Sequence, residues 1–84
     1  MKNEFIKLTN AFLYQDDMSK ADILEKINSL IESIFLNEDL VLVQNIMNTY
    51  RTDFNNFCVD STNEHLQRLI PCFTLILSLL NHQE

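Results

Sequence analysis

Apolar residues recur at helical intervals along nearly the whole chain, in four runs separated by polar breaks. In the first run, from about Asn3 to Tyr14, Phe5, Leu8 and Phe12 stand three and four residues apart, with Ile6 and Leu13 beside them. That spacing predicts a short amphipathic helix, packed on the rest as a lid. Gln15, Asp16 and Asp17 interrupt the pattern, and Ser19 then precedes Asp22 by three residues, close to a capping box with the shorter acid. A second helix should start there. From Lys20 to about Leu36, Ile23, Leu24, Ile27, Leu30, Ile31, Ile34 and Phe35 fall on one face, and Asp22, Glu25, Lys26, Asn28, Ser29, Glu32 and Ser33 on the other. Asp22 and Lys26 form a pair one turn apart, and Asn37 is the residue best able to take a left-handed conformation at the end of this helix.

The third run, about Glu38 to Phe57, places Leu40, Val43, Met47, Tyr50, Phe54 and Phe57 at alternating intervals of three and four. This is a coiled-coil seam on one long helix, and its 3.5-residue repeat asks a partner helix to wrap it left-handedly. Leu40 to Val43 also fits a short buried strand, although Glu38 and Asp39 in the first turn favour the helix. Val59 to Asn63 is the next break, and Ser61 with Glu64 forms a Ser-x-x-Glu capping box before the last run, Thr62 to about Asn81. Pro71 has no N–H to offer the carbonyl of Gln67, so this helix should kink there or divide into Thr62–Ile70 and a longer piece starting at Pro71. The expected fold is therefore all-α: a small helical bundle or hairpin, with three long helices and a short N-terminal one, in a single domain spanning residues 1–84.

Composition removes whole classes of function. The chain has no Gly, so the P-loop, the dinucleotide fingerprint, the EF-hand loop and the nucleophile elbow are absent. A net charge of −6, with the six cations scattered singly, disfavours nucleic-acid or anionic-membrane partners. An acidic surface that imitates DNA stays open as a minor reading. Leu69 to Leu80 is too short an apolar stretch for a membrane span, and Pro71, Thr74 and Ser78 interrupt it. Met1 to Phe5 is polar and does not read as a secretory signal, which leads us to expect a cytoplasmic protein with Cys58 and Cys72 reduced and buried as small hydrophobes. A bridge between the two cysteines is the alternative.

Candidate chemistry is sparse. His65 and His82 do not stand at metal-ligand spacing from the cysteines, and no metal or cofactor is implied. The adjacent acids Asp16–Asp17 and Glu38–Asp39 lie at turns or helix starts, where they solvate a loop or complement the helix dipole. His65 and Glu64 near a helix start would lower the pKa of a neighbouring thiol such as Cys58 and make a nucleophile. No oxyanion loop or third orienting residue accompanies them, and a non-enzymatic protein is expected.

The informative feature is the last helix. Besides Leu66, Leu69, Phe73, Ile76 and Leu80, it carries Cys72, Leu75 and Leu79, which widen the apolar sector to roughly 200° at about 100° per residue. One neighbouring helix cannot cover that sector. Either the bundle surrounds this helix on three sides, or Cys72, Leu75, Ile76 and Leu79 form a face for another chain. In its size, acidity and amphipathic run from Leu66 to Leu80 behind the Ser61–Glu64 start, the chain resembles the small acidic chaperones and co-chaperones of type III secretion. That resemblance implies a helical hairpin or bundle that shields an apolar surface of a partner protein. An acidic inhibitor, antitoxin or immunity-type protein that blocks a basic site, and a self-associating structural bundle, are the alternatives.

Overall fold

The computed structural model describes residues 2–83 and contains five α-helices: α1 (Lys2–Tyr14), α2 (Lys20–Ile34), α3 (Asn37–Thr49), α4 (Arg51–Val59) and α5 (Asn63–Gln83). The described residues include no strand, so the Leu40–Val43 run is helical. The all-α expectation holds, but the third long helix does not exist as one piece. It breaks at Tyr50, whose φ of −96° and ψ of 11° leave the helical region. The Tyr50 N–H still reaches the Ile46 carbonyl at 3.2 Å, and the Tyr50 carbonyl accepts from Phe54 N–H at 2.9 Å. A stripe repeating every 3.5 residues drifts around a straight helix. The break re-aims the chain, so that Val43 before it and Phe54 and Phe57 after it all point into one core.

The other boundaries follow local chemistry. Ser19 is the N-cap of α2, and its carbonyl accepts from Ile23 N–H at 3.1 Å, but its side chain makes no capping bond. Helix α2 ends at Ile34, two residues earlier than expected, and Asn37 alone among the described non-Gly residues has a positive φ, 57°. A short polar side chain tolerates that left-handed geometry, and it lets the chain reverse between α2 and α3 without Gly. Ser61 is not the cap of α5. The helix starts one residue later, with the Thr62 carbonyl accepting from Leu66 N–H at 3.0 Å. Pro71 neither ends nor divides α5, which runs through it. The bond lost at the Gln67 carbonyl falls between two exposed residues, where water can replace it.

The core draws on every helix. Phe12 of α1 is fully buried, and its ring meets those of Phe57, Phe54 and Phe73 at centroid distances of 5.2, 5.8 and 6.2 Å. Phe73 also meets Phe54 at 5.7 Å and Phe5 at 6.3 Å. Edge-on and tilted contacts of this kind add to the burial of the rings themselves. Helix α1 is therefore part of the core rather than a lid over it. Helix α2 adds Ile23, Ile27, Ile31 and Ile34, and α5 adds Leu69, Cys72, Phe73, Ile76 and Leu80. The folded chain exposes 5381 Å², close to the roughly 5,200 Å² expected of a compact monomer of this mass. The core thus closes within one chain.

Candidate binding surface

The wide apolar sector of α5 resolves into a centre and two margins. In the centre, Cys72 and Ile76 are fully buried, so these two of the four expected binding residues belong to the core and offer no face to a partner. Burial is complete there because α1, α3 and α4 all pack on α5. On the margin towards α1, Ile70 and Leu77 join Phe5, Ile6, Leu13 and Phe73 around a groove of about 210 Å³ whose wall includes no charged residue. On the opposite margin, Leu75 is 48% exposed and Leu79 is half-buried against the core. These are the two expected residues that reach the surface.

Helix α3 continues that second margin. Gln83 Nε2 donates to Asp39 Oδ2 at 3.2 Å, which sets the end of α5 beside the start of α3. Counted from that contact along two antiparallel helices, at about 1.5 Å per residue, Leu79 falls level with Val43 and Leu75 level with Met47. Asp39, Leu42 and Ile46 share the edge of α3 that faces α5, being separated by three and four residues. Leu42 is 45% exposed and Ile46 half-buried. Leu42 and Ile46 on α3, like Leu75 and Leu79 on α5, are thus apolar side chains left partly exposed on two helices that meet, and Glu38 and Asp39 are exposed at the start of α3. The helical wheel of α5 points to Leu75 and Leu79, and the exposed Leu42 of α3 was not among the expected residues. The signal was present, since Val41 and Leu42 lie off the Leu40–Val43–Met47 stripe and have no place in the core.

The candidate nucleophiles are held in their neutral forms. Burial, and then the Asp53 carboxylate, push the Cys72 thiol up to about 12. Burial also raises the Cys58 thiol, partly offset by the Lys20 ammonium. A catalytic thiol needs the opposite shift. Both cysteines are free, so the alternative of a bridge does not apply. His65 is half-buried at the start of α5, and its Nδ1 is buried without a partner. Among the described residues no three His, Cys, Asp or Glu side chains cluster as a metal site, and no helix is long and apolar enough to cross a membrane. Asp16 and Asp17 are exposed, with Asp16 3.9 Å from the Lys20 ammonium, while Glu38 and Asp39 occupy the first turn of α3.

No protein family, curated protein or solved structure matches the chain.

Proposed function

We propose that this protein is a non-catalytic binding module that masks an apolar segment of a partner protein with its α3/α5 patch, in the manner of a small secretion chaperone or co-chaperone. The observation that supports this reading is that two helices in contact, α3 and α5, each leave a leucine half-exposed, Leu42 and Leu75, with Ile46 and Leu79 only partly buried on the same two helices. The core closes without Leu42 and Leu75, which gain nothing from standing half in water, whereas an amphipathic helix laid across α3 and α5 would cover them. Glu38 and Asp39 at one end favour a partner whose apolar run is flanked by Lys or Arg. The acidic remainder of the surface keeps the complex soluble.

The test is capture of proteins from the native host by the wild-type chain and by a Leu42→Glu/Leu75→Glu variant, with Val59→Glu as the control at an exposed site outside the patch. The double variant should keep its helical circular-dichroism spectrum and lose a protein that the other two retain, with little change between low and physiological salt. Equal capture by all three proteins removes the patch from the binding site. Capture that collapses with added salt supports instead an acidic inhibitor of a basic site. A wild-type species at twice 9.9 kDa that reverts to monomer in the double variant identifies a second copy of the chain as the occupant.

A further inference from the structure

The joint between α1 and α2 differs from every other in the molecule. The α1, α2, α3 and α4 helices each close with a backbone N–H returned to their last turn, from Gln15, Phe35, Tyr50 and Asp60. At the end of α1, Gln15 N–H bonds to the Ala11 carbonyl at 3.2 Å, but the Phe12 and Gln15 carbonyls both accept from the Nζ of Lys20, the latter at 2.7 Å. Lys20 belongs to the first turn of α2, and its side chain is only 10% exposed. Its ammonium also lies 5.1 Å from the centre of the Phe57 ring and 5.9 Å from that of Phe12. One positive charge thus joins the C-terminal end of α1, where the helix dipole is negative, to α2 and to the aromatic centre formed with α4. Among the described residues no other side chain bonds to the backbone of a different helix.

We infer that Lys20 is a charge-dependent clasp: while its side chain is an ammonium α1 stays docked, and loss of that charge lets α1 leave the bundle and bare Phe54, Phe57 and Phe73. The physical basis is an asymmetry. Neutralisation removes two charge-assisted hydrogen bonds and two cation–ring contacts together, and it leaves the carbonyl of the buried Phe12 without a donor. Phe5, Phe12 and Leu13 are the residues by which α1 holds on, and two of them lie within one turn of that carbonyl. The α3/α5 contact is remote from the clasp and should stay closed.

Hydrogen exchange read peptide by peptide tests this on the full chain, in wild type, Lys20→Met and Lys20→Arg. Met keeps the unbranched stem, one atom shorter, and loses the charge, and Arg keeps the charge. Lys20→Met should speed exchange across residues 5–14 on the order of tenfold or more, while α3, which does not pack on α1, keeps wild-type protection. Lys20→Arg should remain within about threefold of wild type throughout. Unchanged exchange in Lys20→Met overturns the clasp. So does an equal rise in all five helices, which would make α1 inseparable from the global fold. Opening in Lys20→Arg as large as in Lys20→Met shows that side-chain shape, not charge, holds α1.

Discussion

Helices α2 and α3 have similar lengths and similar shares of large aliphatic residues, yet they meet opposite fates. Helix α2 buries Ile23, Ile27, Ile31 and Ile34. Helix α3 buries only Val43 and leaves Val41 and Leu42 in water. The α2 isoleucines repeat at four, four and three residues and form one stripe, which α1, α3 and α4 cover. The aliphatic residues of α3 spread around its circumference, so no packing of a single chain could cover them all. A continuous stripe makes a core helix. A scattered one makes a helix with apolar residues to spare, here Val41 and Leu42.

Three substitutions test that contrast. Ile27→Ala removes a fully buried side chain from the middle of the α2 stripe and should cost about 2–5 kcal/mol, read by urea denaturation. Val43→Ala, at the single buried position of α3, should cost about 2 kcal/mol, because fewer methyl groups are lost from an equally buried site. Leu42→Gln should change stability by less than about 0.5 kcal/mol, since the side chain already stands half in solvent. A loss at Leu42 as large as that at Ile27 would break the contrast and return the outer edge of α3 to the core. A loss at Val43 larger than that at Ile27 would blur it, since Val43 gives up fewer methyl groups.

Much of the architecture was legible in the residues, and the exceptions have physical causes. The α2 stripe, the left-handed Asn37 and the N-cap position of Ser19 are local properties, set by periodicity and by which side chains tolerate a given backbone geometry. The break at Tyr50 was not legible, because a 3.5-residue seam is satisfied either by a wrapping partner or by a bend, and periodicity is the same for both. The depth of Phe12 was hidden for a related reason. A short amphipathic helix reads alike whether it covers a core or supplies its centre, and only the four rings that meet there decide. The width of the α5 stripe points to Leu75 and Leu79, and both are partly exposed. Cys72 and Ile76 were assigned to the same face because a helical wheel shows angles without neighbours.

The sequence by itself determined that the chain is helical, where its polar breaks fall, and that its last helix carries more apolar surface than one neighbour can cover. These follow from spacing, charge and the absence of Gly. Only the tertiary structure decided which part of that surplus is core and which is margin. It also brought α3, with its exposed Leu42, against α5, with its exposed Leu75, and placed the Lys20 ammonium on the carbonyls and aromatic rings at the end of α1. Burial and proximity belong to packing between distant segments, and intervals along one segment do not carry them.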